Sequence, residues 1–161
     1  MTLMMENLHF AKGIDPIADA FAGTVRSDVY SMRGHGRGLF VIYCGVGTTG
    51  TSTLTVNACD DVVPTTRTAV PFWYRQILTG DTPSAITRAT ATGFVTTAGS
   101  SKIILVEVDA KDLAAVTASD RGFVELTAIE SVNDPVLGGV MFIAGGNPNR
   151  YARQVGATVI A

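Results

Sequence analysis

The chain has 161 residues, enough for a single domain that buries roughly 68–70% of its unfolded surface without a disulfide or metal staple. Only 16% of its residues are charged against 47% hydrophobic, and the mean hydropathy is +0.30, so it carries more apolar surface than one small core readily hides and subunit contacts are expected. A formal net charge of −2 and a pI near 5.6 argue against nucleic acid or an anionic membrane as partner, because a basic surface supplies most of the affinity for either.

The first residues, Met1-Thr2-Leu3-Met4-Met5-Glu6, lack the basic start and long apolar core of a signal peptide, and a soluble, unsecreted chain is expected. Residues 1–23 carry apolar anchors at Leu8, Phe10, Ile14, Ile17 and Phe21, but Gly13 and Pro16 break any regular period. They read as an N-terminal arm that packs on the body or on a neighbour. The segment from Thr24 to Met32 has strand composition with polar residues mixed in and is expected at a sheet edge. Arg33-Gly34-His35-Gly36-Arg37, the one basic cluster, reads as a glycine-punctuated turn.

The stretch from Gly38 to Asp60 organises the centre. An apolar run, Leu39-Phe40-Val41-Ile42-Tyr43-Cys44, leads into Gly45-Val46-Gly47-Thr48-Thr49-Gly50, which matches G-x-G-x-x-G. A dinucleotide site needs the third glycine to open a helix whose N–H groups hold the pyrophosphate. Here Gly50 precedes Thr51-Ser52-Thr53-Leu54-Thr55-Val56-Asn57, β-branched and alternating with period two, so a strand is expected and no cofactor. The alternative is a β-hairpin with residues 45–50 as its loop, setting Val41 near Leu54 and Leu39 near Val56. In that hairpin Cys44 and Cys59 stand ~26 Å apart at strand rise and remain free thiols.

Asp60-Asp61 with Val62-Val63-Pro64 reads as a solvated acidic turn rather than a calcium loop, since further oxygen ligands at regular spacing are missing. In Phe72-Trp73-Tyr74, alternation places Phe72 and Tyr74 on one face and Trp73 on the other, so one face is core. A weaker Thr- and Ala-rich segment spans 84–97. Lys102–Val108 is a second interior strand, followed by Asp109 as N-cap of a short helix over Ala110–Val116. Strand character resumes from Arg121 to Glu130. Asn133-Asp134-Pro135 makes a turn, and Val136–Ala144 forms a last strand with Gly138-Gly139 at a bulge or close backbone approach. That apolar run is far short of the ~18–20 residues that span a bilayer. The end, Val155–Ala161, is apolar and uncharged and is expected to dock.

Seven or eight strands, one short helix and no β-α alternation predict an all-β antiparallel sandwich, jelly-roll-like, over 24–152, flanked by the arm (1–23) and a C-terminal tail (153–161). Local catalytic signals are missing. His9 and His35 have no neighbour at metal-ligand spacing, and no G-x-S-x-G, H-E-x-x-H or P-loop appears. Acids such as Glu107, Glu125 and Glu130 are the groups a fold would have to bring together for catalysis. No catalytic, cofactor-binding or metal-binding residue is assigned, and a non-enzymatic protein is expected.

Several of these segments together resemble a known family. Phe40–Thr55 with its GVGTTGTSTLTV core, the Asp60-to-Pro64 loop, Phe72-Trp73-Tyr74-Arg75, the turn from Gly93 to Gly99, Glu107-Val108-Asp109-Ala110 and Arg150-Tyr151-Ala152 are similar to small structural proteins of tailed-phage heads, the decoration or cement proteins. The resemblance implies a jelly-roll-like subunit that forms a homodimer or homotrimer and clamps neighbouring major capsid proteins on the outer surface of the head, after synthesis in the host bacterial cytoplasm. Capsid protein, not DNA, would be its partner. Within that reading, Leu8, Phe10, Ile14 and Phe21 of the arm and Tyr151, Val159 and Ile160 of the tail are the expected interface residues. The competing expectation is a virion-borne adhesion or carbohydrate-binding sandwich that uses Trp73 and the 60–67 loop.

Overall fold

The structure, a computed structural model, describes residues 7–115 and 122–146. In chain order the strands are β1 (His9–Ile17), β2 (Thr24–Arg26), β3 (Tyr30–Ser31), β4 (Arg37–Cys44), β5 (Thr51–Cys59), β6 (Arg67–Val70) and β7 (Phe72–Leu78). There follow β8 (Thr82–Pro83), β9 (Thr87–Ala89), β10 (Phe94–Val95), β11 (Lys102–Asp109), helix α1 (Ala110–Ala114), β12 (Phe123–Val132) and β13 (Gly138–Gly145).

These strands form two antiparallel sheets. One runs β1-β13-β4-β11-β7-β8, with β9 also on β7; the other runs β10-β5-β12-β2, with β3 on β12 and β6 on β5. Eight of the strands trace a jelly roll, β1-β13-β4-β11 in one sheet and β2-β12-β5-β10 in the other, the chain passing between sheets at nearly every connection. The fold is the all-β sandwich expected from the strand pattern. Residues 67–89, between β5 and β10, are added to the eight-strand path, and through β7 they widen the first sheet beyond β11.

One core joins the two sheets. Phe40 and Ile42 of β4, Ile104, Val106 and Val108 of β11 and Phe142 of β13 belong to the same buried cluster as Leu54 and Val56 of β5 and Val124, Leu126 and Ala128 of β12. At one end three rings meet: Tyr30 stacks on Phe142 at 4.2 Å, and Phe142 lies 4.8 Å from Phe40. The Tyr30 hydroxyl donates to the Lys12 carbonyl, so β1 is tied to this aromatic cluster. Burial, aided by Asp28, pushes the Tyr30 phenol far up, keeping it a neutral donor.

The hairpin expected at the centre does not form. β4 and β5 lie in different sheets: Val41 faces Leu105 and Met141, and Leu54 faces Ala128 and Phe94. The reason is the connection. Gly45 N–H donates to Leu137 O at 2.7 Å, Leu137 N–H to Val46 O at 2.9 Å, and Ser101 N–H to Gly45 O at 2.7 Å. Residues 45–50 thus bond to two other loops instead of closing a ladder on themselves. Cys44 and Cys59 are buried free thiols in separate sheets.

The expected arm is corrected in part. Residues 9–17 are an edge strand on β13, with irregular register on either side of Ile14, and Phe21 is buried in the core. Gly13 and Pro16 break the strand's period without preventing pairing, because their irregularities fall where β1 bulges. The close approach expected at Gly138-Gly139 is present: an added β-carbon on Gly139 would sit 3.0 Å from the Ile14 carbonyl, and one on Gly138 2.9 Å from that of Tyr43. Asp109 caps α1 as anticipated, its carboxylate accepting from Lys111 N–H. The residues from Thr24 to Met32 give two short strands on β12, separated where buried Ser27 exchanges hydrogen bonds with the Leu126 backbone.

Phe142→Ala removes the ring at the centre of the Tyr30 and Phe40 contacts and is expected to cost about 3–5 kcal/mol. Urea denaturation followed by tryptophan fluorescence measures this; a loss below about 1 kcal/mol would show that this cluster does not hold β13 against β4.

Candidate docking face

Alternation in a strand sends successive side chains to opposite faces, so the partners of the core residues point outward from the seven-stranded sheet. The registers across β1, β13, β4, β11 and β7 align them in rows. One row is Phe10, Ile143, Leu39, Glu107 and Trp73; the next is Lys12, Met141, Val41, Leu105 and Arg75; a third runs Tyr43, Ile103 and Ile77. Eight of these thirteen side chains are aliphatic or methionine or phenylalanine, and two more are Trp73 and Tyr43. A sheet with one solvated face normally carries polar residues there.

The face is exposed in the isolated chain. Tyr43 is 62% accessible, Phe10 49%, Met141 44% and Trp73 41%. Its charges are largely tied up: Arg37 pairs with Glu107, Lys12 with Asp15 at 3.0 Å, and Arg75 donates to the Ser84 carbonyl at 2.9 Å while its Nε is buried without a partner. Over β1, β13 and β4 the face sinks into an open apolar groove of about 570 Å³, whose walls include Phe10, Ile14, Val41, Tyr43, Leu137 and Met141. Gly139 contributes to the floor, where its missing side chain lets the β1 bulge lie close.

The expected interface residues fall unevenly on this surface. Phe10 and Ile14 line the groove, whereas Leu8 is not among its lining residues and lies over Gly145, where an added β-carbon would meet the leucine side chain. Phe21 belongs to the core, and Tyr151, Val159 and Ile160 lie outside the described residues. The central members, Val41, Tyr43 and Met141, were not anticipated. Their signal was available: the runs 39–44, 103–106 and 140–144 lack the polar alternation of a strand with one wet face.

The remaining motifs are structural. In the G-x-G-x-x-G loop the Asp134 carboxylate accepts from Thr49 N–H at 2.7 Å and from the Thr48 and Thr49 hydroxyls, so this chain's own acid occupies the place a phosphate would take. Gly50 opens β5 rather than a helix, and an added β-carbon there would fall 2.1 Å from the Asp134 carbonyl oxygen. Asp60 caps its loop by accepting from Thr65 and Thr66 N–H at 3.0 and 3.1 Å. Glu107, Glu125 and Glu130 do not converge. Glu107 pairs with Arg37 on one sheet, Glu125 with Arg67 on the other at 2.9 Å, and Glu130 accepts from Gly23 N–H at 2.8 Å. His9 and His35 stack at 6.2 Å, and burial together with His9 holds His35 below the usual histidine range. Among the described residues no three His, Cys, Asp or Glu side chains cluster to hold a metal ion.

Trp73 does stand on the surface, but the Arg88 guanidinium lies 5.4 Å from its ring centroid and reaches Asp112 at 3.3 Å. The 60–67 loop follows β5 in the other sheet, so it and Trp73 are carried on different layers.

No protein-family model and no curated protein matches this sequence. Among solved structures, the chain overlaps the SPBc2 prophage-derived protein YomS with a TM-score of 0.45 and 12% identity, covering 91% of this chain and 99% of that one. A family two carbohydrate esterase from Cellvibrio japonicus overlaps with a TM-score of 0.26 and 12% identity, over 86% of this chain and 34% of the other. Infectious bursal disease virus Gt strain gives 0.25 and 14%, over 88% and 41%. Overlaps this loose carry no argument about function.

Hydrogen bonds from Thr65, led by its hydroxyl, lower the Asp60 carboxyl below its usual range, and those from Thr48 and Thr49 do the same for Asp134. A lowered folded-state pKa gives stability that is complete above the unfolded value near ~3.9 and is lost as pH falls through the folded one. The melting temperature of the wild type should therefore fall between pH 5 and pH 2.5, and Asp134→Asn should lower it at pH 5 while flattening that acid slope. An unchanged slope in Asp134→Asn would remove this carboxylate from the loop's stability.

Proposed function

We propose that this protein is a non-enzymatic phage capsid decoration, or cement, protein that binds the outer surface of the assembled head and stabilises contacts between major capsid proteins. The observation that carries the reading is the apolar outer face of the seven-stranded sheet, built on a rigid sandwich and left open in a single chain. A face of this kind is suited to a protein partner, not to nucleic acid or a soluble polar substrate. The low charge of the chain and the resemblance of its segments to tailed-phage head proteins narrow that partner to a virion component.

The mechanism is linkage. A subunit that docks across a junction between capsid proteins adds binding free energy only to the lattice that presents the junction. Whatever binds one state selectively shifts the equilibrium toward it, and the expanded shell gains resistance to rupture by packaged DNA. Catalysis is not needed for this; a shape-matched surface and sufficient copies are.

Quantitative mass spectrometry of purified virions tests the reading. A ratio to the major capsid protein of about one, or a simple fraction of it, is expected; a few copies per particle, or none, would overturn it. A sugar-binding module is the second reading, favoured by the exposure of Trp73. It predicts a saturable change in tryptophan fluorescence during titration with glycans, whereas the decoration reading predicts none.

A further inference from the structure

The described chain leaves the sandwich at the edge of its uncovered face. β13 ends at Gly145, and Gly146 follows with a φ of +66°, the left-handed conformation that turns a backbone out of a strand. An added β-carbon on Gly146 would lie 3.6 Å from Cγ of Arg37, the side chain that pairs with Glu107 on the outer face. Residues 147–161 therefore continue from the outer face, at the end of β13 opposite the groove. The intervening length fits a return to it. Asn147-Pro148-Asn149 is a set of residues that favours chain reversal. With a reversal over 147–150, an extended chain brings Val155 level with Met141 and Val159 level with Leu137, since equal numbers of residues then separate the members of each pair from the turn. Residues 155–161 span about 23 Å at strand rise, comparable with the stretch of β1 from Phe10 to Pro16 that forms one wall of the groove.

The chemistry of the two surfaces also agrees. Lys12 and Asp15 are the charged residues that line the groove, and they pair with each other at 3.0 Å, so no free charge waits there for an occupant. A charged segment would be set against apolar walls without a counter-charge, at a cost in desolvation. Val155-Gly156-Ala157-Thr158-Val159-Ile160-Ala161 has no charged side chain; Arg150 and Arg153 precede it. Because this segment is tethered to β13, it meets the groove at an effective concentration of about 1 mM, which lets a contact too weak for a separate peptide be filled.

We infer that residues 155–161 lie along the groove over β1, β13 and β4 of their own subunit, with Val159 and Ile160 as the anchors. The free subunit then carries this part of its outer face covered by its own tail and the part over β11 and β7 open. The inference goes beyond the decoration reading: it names a resident occupant that any partner using the groove has to displace.

Thiol labelling of the full-length protein tests it, since Cys44 and Cys59 are buried and give little background. In Met141→Cys, the rate of maleimide labelling should rise about tenfold when Val159→Asp and Ile160→Asp are added, the change expected when a contact of about 0.1 mM affinity is held at about 1 mM effective concentration and then lost. Leu105→Cys, outside the groove, should label at the same rate with and without the two aspartates, and circular dichroism should show the sandwich intact. An unchanged rate at Met141→Cys would overturn the proposal. A second variant, Met141→Cys with Val155→Cys, locates the tail directly. Mild oxidation should give a disulfide within one chain, seen as a monomer band on a non-reducing gel. No disulfide, or one found only in a dimer band, would overturn the placement in the same subunit. These readouts need no capsid, so they stand or fall apart from the decoration reading, which the copy number in virions decides.

Discussion

Three neighbouring strands, β13, β4 and β11, are apolar on both faces, and that constraint shapes the rest of the molecule. A strand of this kind must lie inside a sheet, and the sheet it forms must be covered on two sides. The six-stranded sheet covers one side and yields the core in which Phe40, Ile104 and Phe142 meet Leu54, Val56 and Leu126. Nothing in the described residues covers the other. The composition that fills the core therefore also leaves a surplus that cannot fit it, and that surplus is the apolar outer face on which the proposed docking rests.

The edges show how the fold keeps that surface in order. β1 bulges at Ile14, and Gly139 in β13 lets its backbone come within contact distance, so the edge strand is irregular instead of standing flat and open. The added strand β7 extends the opposite side and carries Trp73 and Arg75 into the same plane. Between them the loop at 45–50 is held by Asp134, Leu137 and Ser101. It is the crossing point between sheets, and its glycines answer to backbone crowding.

That loop illustrates how chemistry suggested by a motif is redirected by its context. Backbone N–H groups in a glycine-rich turn attract an anion wherever it comes from. Here the anion is the Asp134 carboxylate from the turn that precedes β13, which fixes the position of that strand against β4. A similar use is made of Asp60 at the far end of β5. Both acids act as internal braces. Glu125, buried beside Arg67, braces the second sheet in the same way.

Much of this was legible in the residues themselves. Period-two alternation located β5 and the face assignment of Phe72 against Trp73; the unbroken apolar run marked β11 as an interior strand; Asp109 announced the helix; and the glycine pair in β13 marked a close approach. These are local properties, set by backbone geometry within a few residues. Partner choice was not local. Val41 next to Leu54 satisfies the same apolar rule as Val41 next to Leu105 or Met141, so sequence proximity favoured the hairpin while the tertiary structure chose the crossing. The same holds for the N-terminal segment, whose broken pattern resembles an arm until β13 supplies a ladder for it. Composition alone determined that apolar surface would remain; only the pairing of β1, β13 and β4 decided where, because a groove is made by strands that are distant in sequence and adjacent in space.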